Sequence, residues 1–236
     1  MSEDITVACV LKSGGRYNAE WVRKLRDAVA RHLTFPHCFV CLSDVEVPCE
    51  RIPLRYDWPH LARQRGQDHD WTVAPAWWSK LELFRPGLFS GTVLYIDLDS
   101  LVIGPLDRIV SYQHQFTMAH DPWNRDHLCS TAMAWTGDHS FLFEAFMEDP
   151  GGIARRYDVD EPKNSRIGDQ AFIEDQFKAY GVKVDTFREV VGRNAVVSYK
   201  VDCREGPPKD ASIVALHGNP KQDQLGHIGW VAAAWT

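Results

Sequence analysis

The segment that most constrains this chain is Thr92-Val93-Leu94-Tyr95-Ile96, a continuous β-prone apolar run that passes without a break into Asp97-Leu98-Asp99. An unalternating run of this length reads as a strand buried on both faces, which requires cover on both sides and makes it the expected central strand of an α/β sheet. Residues i and i+2 of a strand share a face, with Cα atoms about 6.5 Å apart, so both carboxylates can converge on one cation where the strand end bends. Hard divalent metals suit such oxygens. The competing reading is a strand end closed by two solvated acids.

The flanking pattern fits the same class. Residues 5–11 form a β-rich run stopped by Lys12-Ser13-Gly14-Gly15-Arg16, and from Asn18, a suitable N-cap, the period changes. Trp21, Val22, Leu25, Val29 and Leu33 then recur on one helical face. Residues 38–42 and 51–54 are the next strands, giving a β-α-β-β opening with parallel pairing of the first two. Residues 55–74 are polar, lack a period, and read as a long loop. Further on, 76–84, 140–148 and 169–180 read as helices, the last closed by Gly181. Residues 116–119, 131–135, 182–187, 196–201 and 213–216 read as strands completing the sheet, and 149–166 as a second loop. The expected fold is α/β: one domain over 1–236 with a mixed, mostly parallel central sheet flanked by helices.

Composition excludes several classes. With 44% hydrophobic and 25% charged residues the chain is ordinary globular material. Its 26 Lys+Arg against 32 Asp+Glu leave a net charge of −6, which disfavours a nucleic-acid partner. No apolar stretch approaches the roughly 20 residues of a membrane-spanning helix. The opening Met1-Ser2-Glu3-Asp4 lacks the marks of a secretory leader, so a cytoplasmic location is expected. Six cysteines, at 9, 38, 41, 49, 129 and 203, are too sparse for a disulfide scaffold and are expected to be reduced. His37-Cys38-x-x-Cys41 suggests zinc only superficially, because residues three apart on a strand point to opposite faces.

Several motifs occur in a fixed order: Cys41-Leu42-Ser43-Asp44, Trp78-Ser79-Lys80-Leu81-Glu82-Leu83-Phe84, Asp97-x-Asp99, Cys129-Ser130-Thr131-Ala132-Met133, Gly168-Asp169-Gln170 and His217-Gly218-x-Pro220-Lys221. In that order the chain resembles the nucleotide-sugar glycosyltransferases of the GT-A fold, family 8 most closely. The resemblance implies metal-dependent transfer of a sugar from a nucleotide-diphosphate donor, a UDP-sugar, to a carbohydrate or other hydroxyl acceptor, with retention. It implies a nucleotide-binding half over about 1–100 and an acceptor-side half over about 101–236. Asp97, Asp99 and His217 would bind Mn²⁺ (or Mg²⁺), and Lys80, Ser130, Gly218 and Lys221 would contact the phosphates or donor sugar. Leu11, Tyr17 and Asp44 would form the base and ribose pocket, while Asp121, Asp169 and Gln170 would lie around the donor sugar and its anomeric carbon. Five of these have a plainer reading: a strand-end histidine for His217, solvated lysines for Lys80 and Lys221, packing at a helix start for Tyr17, and an N-terminal helix cap for Asp169. Trp77, Trp78, Trp123 and Trp230 are core residues or apolar faces for sugar rings. The closing segment 227–235 is apolar enough to pack on the body or on another subunit.

Two other functions compete. A phosphatase of the haloacid-dehalogenase type also carries an apolar strand leading into Asp-x-Asp, with Asp97 as nucleophile, Asp99 as acid/base and a domain starting near Thr92. A sugar-nucleotide-binding module without turnover would share most of these residues.

Overall fold

The computed structural model describes residues 4–57, 75–157 and 167–236. Its main sheet has seven strands in the order β3-β2-β1-β4-β7-β6-β8: β1 (Ile5–Leu11), β2 (Cys38–Ser43), β3 (Glu50–Pro53), β4 (Thr92–Ile96), β6 (Phe116–His120), β7 (Leu128–Thr136) and β8 (Asp185–Thr186). All pairings are parallel except those that β7 makes with β4 and β6. A second sheet joins β5 (Ser100–Val102), β10 (Ile213–Ala215) and β9 (Val196–Ser198) in that order. The molecule is a single α/β domain, and β4 lies in the middle of its larger sheet.

The central run is apolar throughout because both of its faces are covered. Leu94 and Ile96 join Val7, Cys9 and Leu11 in a core under α1 (Ala19–His32), which contributes Trp21, Val22, Leu25, Ala28 and Val29. Val93 and Tyr95 face the opposite core with Trp78, Phe146 and Phe172. That side is covered by α2 (Pro75–Trp78), which tightens into a 3-10 helix over Ser79–Phe84, and by α4 (Ser140–Glu148), α5 (Pro150–Tyr157) and α6 (Gly168–Ala179). A third cluster under the small sheet includes Leu101, Val214 and Val231. Asn18 caps α1 by accepting from the Glu20 N–H, as expected.

Several boundaries depart from expectation for local reasons. Over 182–187 only Asp185–Thr186 is strand, because Thr186 and Glu189 form a reciprocal capping box that starts α7 (Phe187–Val190). Over 196–201 the strand stops at Ser198, whose N–H donates to Asp202 at 2.8 Å as α8 (Tyr199–Asp202) begins. Residues 150–157 of the loop expected over 149–166 form α5; Asp149 accepts from the Gly152 N–H at 2.9 Å, and Pro150 occupies the first helical position. The remainder of that segment, and 58–74 of the other expected loop, lie outside the described residues. The strands β9 and β10 belong to the small sheet rather than the central one. A phosphatase-like domain beginning at Thr92 does not agree with β4, whose inner edge is bonded to β1 along Thr92–Tyr95.

Of the cysteines, Cys9, Cys41, Cys129 and Cys203 are buried and Cys38 is exposed, so Cys38 and Cys41 do point apart. The closing segment packs on the body: in the turn after α9 (Gly229–Ala234), Trp235 meets Trp21 edge-on at 4.6 Å and lies 4.5 Å beneath the Lys24 ammonium. Among the described residues no helix is long and apolar enough to cross a membrane.

Glu174 joins α6 to the edge of β7. At 3% exposure it accepts from the Leu128 N–H at 3.2 Å, from His127 at 3.3 Å and from Lys178 at 2.5 Å. Burial pushes its pKa up, but the Lys178 ammonium and these donors bring it below its ordinary value. A depressed folded pKa adds stability above the unfolded pKa and loses it as pH falls through the folded value. Glu174→Gln should therefore unfold more easily in urea by about 1–2 kcal/mol near neutral pH. That gap should narrow below about pH 4.

Candidate functional site

The site begins where β4 stops. The Asp97 N–H still donates to the Thr131 carbonyl at 2.9 Å, extending the β4–β7 ladder by one bond, and the Ser100 N–H then donates back to the Asp97 carbonyl at 3.1 Å. That turn passes the chain from the large sheet into β5. The expected sharing of one strand face by Asp97 and Asp99 is accordingly broken by the turn, and each carboxylate finds its own ammonium group.

Asp97 keeps the face of Tyr95, two residues earlier, and accepts the Tyr95 hydroxyl proton in a short hydrogen bond. Lys80, projecting from the 3-10 helix at only 8% exposure, lies 3.1 Å from Asp97, 3.1 Å from Ser130 Oγ and 3.3 Å from Asp169. Ser130 Oγ in turn donates to Asp169 Oδ2 at 2.6 Å. Lys80 is therefore no solvated lysine: its ammonium binds β4, β7 and the start of α6 together. Asp169 is no helix cap either, because its carboxylate turns away from the α6 N–H groups toward Ser130 and Lys80. Gln170 follows it on the first turn.

Asp99 is held from the other side. Tyr17 Oη donates to Asp99 Oδ2 at 2.9 Å, Lys221 Nζ makes a very short ion pair with the same oxygen, and Lys221 also reaches the Leu216 carbonyl at 2.5 Å. The Leu216 N–H donates to the Asp99 carbonyl at 3.1 Å, which sets His217 beside the turn. Gln222 Nε2 donates to the carbonyls of Leu98 at 3.1 Å and Ser100 at 3.4 Å. Residues 216–222 thus wrap the turn.

Charge follows from this packing. Burial pushes Asp97 up, Lys80 pulls it back, and the neighbouring Asp99 and Asp169 leave it at about 6. Burial also opposes ionisation of Asp99, but Lys221, His217 and Tyr17 outweigh it and bring that carboxyl below its ordinary value. Burial lowers the pKa of His217 against the pull of Asp99, favouring a neutral imidazole. Three aspartates, 97, 99 and 169, face two lysines, 80 and 221, so the cluster carries one uncompensated negative charge and has room electrostatically for a further cation.

Among the described residues no three His, Cys, Asp or Glu side chains stand close enough together to hold a metal ion. By donor type the set fits one: two carboxylates and a neutral imidazole, with Asp99 and His217 in each other's field.

The other expected residues are distributed around this centre. Asp121, buried at the end of β6, accepts the N–H groups of Trp123 and Asn124 at 2.8 Å each through one oxygen, which fixes its carboxylate. Asp44 is engaged at the end of β2 by Lys12 at 2.6 Å and by the Ser13 N–H and hydroxyl at 2.8 and 2.6 Å. Leu11 is core. Tyr17 packs its ring on Trp21 at 4.7 Å as well as bonding Asp99. Gly218 has a left-handed φ of +61°, a conformation that costs a side-chain-bearing residue energy. Trp78 is core, whereas Trp123 is 59% exposed with its ring 5.4 Å from that of His217. Tyr95 and Gln222 were not foreseen; Tyr95 was detectable as the residue two before Asp97 on one strand face, while nothing local marks Gln222.

No protein-family model and no curated protein matches the chain. Among solved structures, that of the galactosyltransferase LgtC in complex with donor and acceptor sugar analogs is similar over 98% of this chain and 96% of its own, with a TM-score of 0.59 and 10% identity. At that identity the likeness shows the fold, which is GT-A-like.

The start of α6 tests how finely the cluster is placed. Gly168 has φ +63°, and a Cβ there would lie 2.8 Å from Trp77 Cε3. Gly168→Ala should destabilise the protein by about 1–3 kcal/mol in urea unfolding through backbone strain and crowding. It should also weaken whatever ligand Asp169 helps to hold, as titration calorimetry would show.

Proposed function

We propose that this chain is a glycosyltransferase that moves a sugar from a nucleotide-diphosphate donor, a UDP-sugar, to a hydroxyl of an acceptor, with retention of anomeric configuration. The observation that carries this reading is the buried Lys80 ammonium shared by Asp97, Ser130 and Asp169 at the end of a central strand, in a fold like that of a transferase seen with donor and acceptor sugar analogs.

In this reading the chain's own groups divide the work. Tyr17 and Asp44, just before α1 and at the end of β2, would receive the base and ribose, while Leu11 is core and would support that pocket only from the end of β1. Lys221, one of two cations in the cluster, would exchange Asp99 for the diphosphate, and Gly218 would let the backbone approach it. Lys80 would hold Asp97 and Asp169 in fixed orientation, leaving Asp169 and Gln170 beside the anomeric carbon and Asp121 on the sugar hydroxyls. Asp97, Asp99 and His217 would hold Mn²⁺ (or Mg²⁺). Such an ion would supply positive charge against the departing diphosphate. Fixed groups of this kind stabilise charge as it develops without reorganising, which is why a rigid cluster suits the chemistry.

A thermal-shift panel of nucleotide-sugars with and without Mn²⁺ tests the assignment. A donor at 100 times its dissociation constant should stabilise the fold by about 2.7 kcal/mol. Asp97→Ala and Asp99→Ala should abolish transfer and metal-dependent donor binding. Retained transfer in both variants would refute the reading. Phosphate release from simple monophosphates without any nucleotide-sugar would favour a phosphatase instead.

A further inference from the structure

β6, β9 and β10 end at one edge of the molecule, and a pocket opens between their last residues. Its lining includes His120, Pro122, Thr131, Ser198, Ala215 and His217. Ser198 is 3% exposed, and its Oγ has no hydrogen-bond partner within the protein. A buried hydroxyl without a partner is uncommon and marks a place where a ligand group or water completes the bonding.

Four cations stand on the segments that adjoin this pocket. Arg125 lies in the β6–β7 loop, Arg188 on α7 against the end of β6, Arg193 just before β9, and Lys200 on α8 just after it. Among the described residues none of these four makes a salt bridge or a side-chain hydrogen bond, whereas Arg16, Arg23 and Arg26 all pair with carboxylates. They lie within one another's reach: Arg125 and Arg193 act on Arg188, and Arg125 and Arg188 act on His120. Lys200 acts on His217 from beside Gly218. The acids nearby are fewer than the cations: Asp202 acts on Arg188 and His120, and Asp121 on His120, so four cations face two carboxylates. In a chain of net charge −6, like charges left together without partners repel one another and create a local field that favours an anion.

We propose that the acceptor carries an anionic group, a phosphate or carboxylate on a sugar, which Arg125, Arg188 and Lys200 receive at the pocket mouth while a hydroxyl of the same molecule enters beside Ser198 and His217. This inference rests on the transferase reading and names its substrate class. An anion held there would orient the acceptor toward the donor, and its binding would weaken with added salt.

Titration calorimetry on the full chain separates the two claims. The probes are a hexose 6-phosphate, the matching hexuronate, the neutral hexose, inorganic phosphate and UDP, applied in the presence of Mn²⁺ to wild type and to the Arg125→Gln/Arg188→Gln double variant. Wild type should bind the two anionic sugars about tenfold more tightly than the neutral hexose or inorganic phosphate, and the double variant should lose about that factor. Binding of UDP should be the same in both. The inference is overturned if the neutral hexose or inorganic phosphate binds as well as the sugar phosphate, or if the double variant retains the sugar phosphate unchanged. Failure of wild type to bind UDP would instead overturn the donor reading, so the two failures are distinct. Melting curves of the double variant, whose changes lie at residues outside the core, verify that it is folded.

Discussion

The structure turns on the reversal at Asp97–Ser100. One backbone bond, from Ser100 N–H to the Asp97 carbonyl, ends the central strand of the large sheet and begins the first strand of the small one. Contacts from four other segments converge on this reversal: Tyr95 and Lys80 reach Asp97, Tyr17 and Lys221 reach Asp99, and Gln222 reaches the carbonyls on either side. A turn so heavily bonded cannot shift without disturbing both sheets, which gives the acids the fixed geometry that binding highly charged ligands requires.

Burying this much charge is tolerable only because it is matched. A lysine taken from water without partners would lose its proton or unfold its surroundings. Lys80 escapes that because it donates to Asp97 and Ser130 and pairs with the Asp169 carboxylate at 3.3 Å. The match is incomplete by one negative charge, and that deficit inclines the cluster toward cationic ligands or toward an anion brought in with its own counter-ion. Burial, reinforced by the neighbouring Asp99 and Asp169 against the pull of Lys80, holds Asp97 at about 6, within reach of physiological pH.

The central features of the fold were legible in the sequence because they depend on local pattern. The unbroken Thr92–Ile96 run indicated a strand covered on both faces, and the periodicity of α1 and its Asn18 cap located that helix. The candidate site was legible as residue types near strand ends. What could not be read was pairing across long sequence separations: that Lys221 closes on Asp99, that Lys80 bridges to Asp169, or that the small sheet takes β9 and β10 away from the large one. The excess length of the strand expected over 182–187 is a different failure, since the Thr186-x-x-Glu189 capping box was visible in the sequence and ends the strand at Thr186.

In the proposed reading, the charge cluster on this reversal receives the diphosphate of a nucleotide-sugar together with a divalent cation that offsets its excess negative charge. A crystal structure of the chain grown with UDP and Mn²⁺ tests it most directly. Diphosphate density beside Lys221 and Gly218, with the metal at Asp97, Asp99 and His217, is the expected result. Diphosphate density at any other edge of the sheet, with Lys221 still on Asp99, would contradict it.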